Sequence, residues 1–120
     1  MDQISNFFIR IKNAALAGHD SATVPYSRFK ESISKALVAS GYLIEAKKQD
    51  NKLVLTLGAG RIAGLKLISK PGLRVYKAVH ELKTSKGKFS MFIMSTPLGV
   101  ITSRQAREKN IGGEVLAEIW

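Results

Sequence analysis

The run Phe89-Ser90-Met91-Phe92-Ile93-Met94 decides how this chain folds. Successive side chains of a strand point to opposite faces, and here both faces carry large apolar groups. A half-solvated strand alternates apolar with polar, whereas one covered on both sides does not. The run therefore predicts a central strand with packed layers above and below it. Downstream, Ser95 to Gly99 reads as a polar loop, and Thr102-Ser103-Arg104-Gln105 matches a capping box that opens a short helix. Asn110 and the pair Gly112-Gly113 end that helix. Val115, Ala117 and Ile119 then alternate in a last strand running to Trp120.

Upstream, Lys83 to Lys88 reads as exposed, and Val79 to Leu82 as a short turn or helical piece. Before it, Leu65 and Leu67 lie opposite Lys66, Ile68 and Lys70 on an extended stretch. Pro71-Gly72 is a strong turn signal, because proline presets the first central position and glycine accepts a positive φ at the second. Beyond it, Leu73 and Val75 face away from Arg74 and Tyr76. Further back, Ile4, Phe7, Phe8, Ile11 and Ala15 recur at helical spacing, with Asp2 as cap and Gly18 as stop. An extended piece at Ala22 to Val24 ends at Pro25. Ser27 caps a second helix whose stripe is Phe29, Ile33, Ala36 and Leu37, closed by Gly41. Leu43 to Lys48 and Lys52 to Leu57 form a hairpin about Gln49, Asp50 and Asn51.

These elements give an α+β fold of two small packed halves. Residues 1–62 form a helix-strand-helix-hairpin half. Residues 63–120 form a mostly antiparallel sheet with one short helix. With 120 residues and 45% hydrophobic content, the chain can bury a modest core. No apolar run approaches the roughly 20 residues needed to span a bilayer. Met1 leads directly into the amphipathic pattern, without a basic leader or cleavage site, so the expected location is the cytoplasm. Cysteine is absent, and His19 and His80 lack metal-ligand spacing, so no metal or cofactor is called for.

Nineteen basic and nine acidic residues leave a net charge of +10. Residues 1–62 carry nine basic and five acidic side chains, a surplus of four; residues 63–120 carry ten and four, a surplus of six. Such a field gathers polyanions, and more strongly on the second half. Charge alone does not separate RNA, DNA and acidic lipid. The segment Gly58-Ala59-Gly60-Arg61-Ile62-Ala63-Gly64 superficially suggests a nucleotide loop, but the residues beyond it alternate like a strand, leaving no helix to hold a pyrophosphate. Carboxylates are few and scattered, and no nucleophile motif accompanies a plausible His and Asp.

The segment Ser95-Thr96-Pro97-Leu98-Gly99-Val100-Ile101-Thr102 is more telling. Short hydroxyls both donate and accept, which suits base edges and 2′-hydroxyls; equally, they can bond their own backbone in a turn. Arg74 and Tyr76 on one strand face can set a guanidinium on a phosphate and a ring against a sugar or base. Arg104, Arg107 and Lys109 add charge near the short helix.

That segment, followed by Ala106-Arg107 and Gly112-Gly113-Glu114-Val115, resembles the bacterial-type family of small-subunit ribosomal protein eight. Lys70-Pro71-Gly72-Leu73-Arg74-Val75-Tyr76 is similar to the family's central motif, and Ile9-Arg10-Ile11-Lys12-Asn13-Ala14 to its first-helix signature. The resemblance covers nearly the whole chain. It implies a non-enzymatic ribosomal constituent that binds the central domain of small-subunit RNA directly, helps assemble the platform, and neighbours the fifth and twelfth small-subunit proteins. In some bacteria the family also represses translation of its own messenger RNA. The resemblance puts RNA contacts at Ser95 and Thr96, with Gly99 permitting close backbone approach, and brings Tyr76, Arg74 and Glu114 to the same surface. Arg104 and Arg107 complete the candidate set. The family's loop usually reads Ser-Thr-Ser; here Pro97 stands third and lacks both the hydroxyl and the N–H. Two other classes compete: an RNA-processing enzyme on a similar scaffold, and a basic protein-interaction module using the exposed strand and Trp120.

Overall fold

The computed structural model describes residues 3–83 and 90–120. Helix α1 (Gln3–Leu16) buries Phe7, Phe8 and Ile11, and helix α2 (Arg28–Ala39) buries Ile33, Ala36 and Leu37. The expected Asp2 cap lies outside the described residues. Ser27 caps α2 as expected, its hydroxyl accepting from the Lys30 N–H at 3.2 Å. Gly41, at φ +86°, ends it, with the Tyr42 N–H reaching back to the Leu37 carbonyl; only glycine takes that conformation without strain. The expected stripe differs at one point: Phe29 is half-buried, while its neighbour Lys30 is only 3% exposed.

Strands β1 (Ser21–Pro25), β2 (Leu43–Gln49) and β3 (Lys52–Leu57) form an antiparallel sheet in the order β1-β3-β2. Leu53, Leu55 and Leu57 alternate inward as the sequence predicts. The second sheet comprises β4 (Leu65–Leu67), β5 (Tyr76–Lys77), β6 (Met91–Thr96), β7 (Gly99–Thr102) and β8 (Gly113–Ile119). The order β4-β8-β6-β7 makes β8 and β6 central, and β5 joins the same edge of β8 as β4, farther along. Between β5 and β6, Val79–Glu81 makes one 3-10 turn, and helix α3 (Ser103–Lys109) lies on the sheet. The Thr102 capping box is present, with reciprocal bonds between Thr102 and Gln105.

Strand β6 has the predicted two-sided burial. Met91 and Ile93 enter a large cluster with Phe7, Ile33, Leu53 and Leu65, whereas Phe92 and Met94 enter a smaller one with Leu82, Ile101, Ala106 and Val115. Phe89 and the stretch 84–88 fall outside the described residues. Two expectations are corrected. The strand runs through Ser95 and Thr96, where the residue types suggest a loop, and Gly99–Thr102 returns as a paired strand, leaving Pro97 and Leu98 as a two-residue turn. The stretch after Leu67 does not stay regular. Lys70 and Leu73 bridge about Pro71-Gly72, with Gly72 at φ +79° as a type II turn requires.

The two sheets share the large cluster, and a hydrogen bond also links the halves: the Tyr42 hydroxyl, just before β2, donates to the Ile119 carbonyl of β8 at 3.4 Å. Replacing Ile93, fully buried where the layers meet, with Ala should cost about 2–5 kcal/mol. Both sheets should still melt together in urea. Far-UV circular dichroism and Trp120 fluorescence should give coincident midpoints; separated midpoints would show halves that unfold independently.

Candidate nucleic-acid interface

The start of β8 is threaded between two strands. Glu114 is opposite Tyr76 on β5 and opposite Ser95 on β6, and Ser95 in turn is opposite Val100 on β7. Residues directly opposite one another share a sheet face, so Tyr76, Glu114 and Ser95 form a row across three strands. Room for this crossing comes from Gly112 and Gly113. A Cβ on Gly112 would lie 2.4 Å from the Lys77 carbonyl oxygen, and one on Gly113 would lie 2.4 Å from that of Ser95. In sequence the pair reads as the stop of α3; its additional work is to let three backbones meet.

A second device holds the Arg74 segment in place. Ser69, only 5% exposed, donates its hydroxyl to the Val115 carbonyl at 2.7 Å and accepts from the Val75 N–H at 2.9 Å. The Val115 N–H in turn donates to the Val75 carbonyl. This buried serine staples the Pro71-Gly72 turn to β8 and brings Arg74 beside Glu114, Nη1 lying 3.6 Å from Oε2. Nothing in the sequence singles out Ser69, because a lone serine in an alternating stretch has no pattern to distinguish it.

Along the row the polar groups are differently engaged. The Tyr76 ring is 70% exposed. Glu114 Oε2 is buried and receives no hydrogen bond from any described residue; Arg74 is too far for one. The Ser95 hydroxyl likewise bonds no described residue. Thr96 differs. Its Oγ1 donates to the Gly99 carbonyl at 2.8 Å and accepts from the Leu98 N–H at 3.1 Å, bracing its own turn. Strand alternation also directs Thr96 to the face opposite Ser95. A Cβ on Gly99 would meet nothing within 4 Å, so within this fold its φ of +109°, not crowding, calls for glycine. Pro97 occupies the first turn position, where no ladder N–H is needed.

The α3 arginines stand apart from the row. Arg107 donates through Nη2 to the Leu82 carbonyl, pinning the 3-10 turn to the helix. Arg104 follows Thr102, which is opposite Ile93 rather than Ser95, and its charge acts on Tyr42. The Tyr42 phenol is pushed above its ordinary value by burial, and the Arg104 guanidinium opposes that shift. His19 and His80 are both exposed, and no group of three or more metal-ligating side chains occurs among the described residues. No helix among them is long and apolar enough to cross a membrane.

Comparison with known proteins matches residues 2–120 to the family model for ribosomal protein S8. The chain belongs to the ribosomal protein S8 family. It is 41% identical to the small ribosomal subunit protein uS8 of Salinispora arenicola, covering 99% of this chain and 97% of the relative. Its identity to uS8 of Lactobacillus helveticus is also 41%, with the same coverage. With uS8 of Nitratidesulfovibrio vulgaris it shares 40% identity over 99% of this chain and 98% of the other. Membership in the S8 family makes this a ribosomal protein rather than an enzyme, and the resemblance carried by its motifs is thereby established.

Two outcomes test the geometry. Gly113→Ala must push β6 away from β8 and should cost about 1–3 kcal/mol in urea unfolding. Because the Tyr42 pKa is raised in the fold, its contribution to stability is complete below the unfolded value near 10 and is lost as pH rises through the folded value. Tyr42→Phe should therefore flatten the alkaline limb of the stability profile, measured by urea titrations between pH 9 and 11.

Proposed function

We propose that this chain is a structural constituent of the small ribosomal subunit that binds its RNA directly through the Tyr76–Glu114–Ser95 row. The observation that carries this reading is the buried Glu114 oxygen, which no described residue hydrogen-bonds, flanked by the Ser95 hydroxyl, likewise without a described partner, and the exposed Tyr76 ring. An ionised carboxylate only accepts hydrogen bonds, and leaving a buried acceptor unpaired is costly. RNA offers donors in its 2′-hydroxyls and exocyclic amines. Ser95 can donate or accept beside it, Tyr76 supplies a stacking face, and Arg74 offsets the repulsion between Glu114 and nearby phosphates. The net charge of +10 provides the long-range attraction.

In finer terms, the resemblance favours the central domain of small-subunit RNA as the target, a place in platform assembly, and the fifth and twelfth small-subunit proteins as neighbours. The same row would serve for repression of the chain's own messenger RNA, if that messenger offers the same shape. Arg104 and Arg107 are assigned supporting charge rather than base contacts. Thr96 is assigned to the turn that presents Ser95.

Substitution separates these roles. Ser95→Ala should leave urea stability within about 0.5 kcal/mol and weaken binding to small-subunit RNA by roughly 3- to 10-fold, the loss of one hydrogen bond. Thr96→Ala should instead lower stability by about 1 kcal/mol. Nitrocellulose filter binding and urea unfolding measure the two. Undiminished affinity in both Ser95→Ala and Glu114→Gln would refute the row as the contact surface.

A further inference from the structure

The free edge of β1 carries a separate cationic groove. Strand β1 pairs with β3 on one side, and α1 packs against it. Two side chains reach its carbonyls: Arg10 Nη1 donates to Thr23 at 2.7 Å, and Lys30 Nζ donates to Pro25 at 3.3 Å. Lys30, only 3% exposed, is the third residue of α2, at the positive end of the helix dipole. Among the described residues its ammonium has a single hydrogen-bond acceptor, the Pro25 carbonyl at 3.3 Å. Neither Arg10 nor Lys30 forms an ion pair with any described residue. The nearby Glu31 carboxylate accepts from the Tyr26 hydroxyl.

A cavity of about 410 Å³ opens on these groups, lined by Gln3, Asn6, Arg10 and Lys30 among others. Through Arg10 and Pro25 it continues into a second hollow reaching Asn51 and Lys52. Among the described residues no carboxylate lines either one. The first of these hollows thus presents an ammonium with two uncommitted N–H groups, a guanidinium with donors beyond the one held by Thr23, and the Gln3 and Asn6 amides.

We propose that this groove binds a phosphate group, namely a phosphodiester of an RNA backbone seated between Lys30 Nζ and the Arg10 guanidinium. A phosphate accepts from both cations at once, matches the guanidinium fork, and supplies the negative charge that the helix end and the Lys30 ammonium lack. The groove shares no lining residue with the Tyr76–Glu114–Ser95 row. The phosphate chemistry stands on the groove alone; RNA as its source rests on the RNA-binding reading above.

The test uses the full chain. Inorganic phosphate is titrated while the Lys30 ammonium and Arg10 guanidinium resonances are followed by ¹⁵N NMR, with chloride at matched ionic strength as control. Saturable shifts specific to phosphate, with half-saturation raised at least about fivefold in Arg10→Gln, are expected for one lost charge-assisted contact. In parallel, the salt dependence of binding to small-subunit RNA is measured for Arg10→Gln, Lys30→Met and the double variant. Because both cations hold one phosphate, each should lower the log–log slope by about 0.7–0.9, the double variant no further. Arg10 is exposed, so its variant remains decisive even where Lys30→Met fails to fold. Saturable phosphate binding with unchanged slopes would keep the anion site and overturn RNA as its source. The absence of both effects overturns the proposal, leaving the two cations as caps for the β1 carbonyls. If the unaltered protein fails to bind the RNA at all, the RNA-binding reading falls, and the phosphate titration still decides the site.

Discussion

Strand β8 is hydrogen-bonded along both edges, and almost every feature of the second sheet derives from that. On one side it takes β6 along most of its length; on the other it takes β4 at one end and β5 at the other. The backbone can be gripped this way only because Gly112 and Gly113 present no Cβ to the Lys77 and Ser95 carbonyls. Once β8 is seated, Ala117 and Ile119 complete the large cluster and Val115 the small one. The same seating puts Glu114 between Tyr76 and Ser95. Core and candidate interface are thus two ends of one strand.

Much of this was legible in the residues, and for identifiable reasons. The double-sided apolar character of Met91 to Met94 could come only from a covered strand, and helical periodicity with Ser27, Gly18 and Gly41 bounded both N-terminal helices. Ser95, Thr96 and Gly99 read as loop because short polar side chains at the end of a strand look like turn residues. Only the register with Val100 and Glu114 shows that they are paired. Burial of Lys30 was invisible for a different cause. Periodicity tells which face of a helix turns inward, but not that a long cation at the margin of that face follows its apolar neighbours.

The candidate interface was legible by composition and only partly by arrangement. Arg74, Tyr76, Glu114 and Ser95 do converge, although they come from three separate stretches of chain. Thr96 and Arg107 lie off that row and hydrogen-bond their own backbone surroundings, the first at its turn and the second at Leu82. A hydroxyl or guanidinium in a sequence carries the same chemistry whether it serves a partner or a neighbouring carbonyl. Only the structure shows which acceptors lie within reach.

The position of β8 also bears on how the chain is made. It comes, in order of synthesis, after every strand that it joins, including β4 some fifty residues earlier. Until residues 113–119 leave the translating ribosome, β6 has only β7 beside it, and β4 and β5 have no strand to pair with. One edge of β6 must therefore wait unpaired on the nascent chain. During that interval it is open to chaperones and to unwanted association.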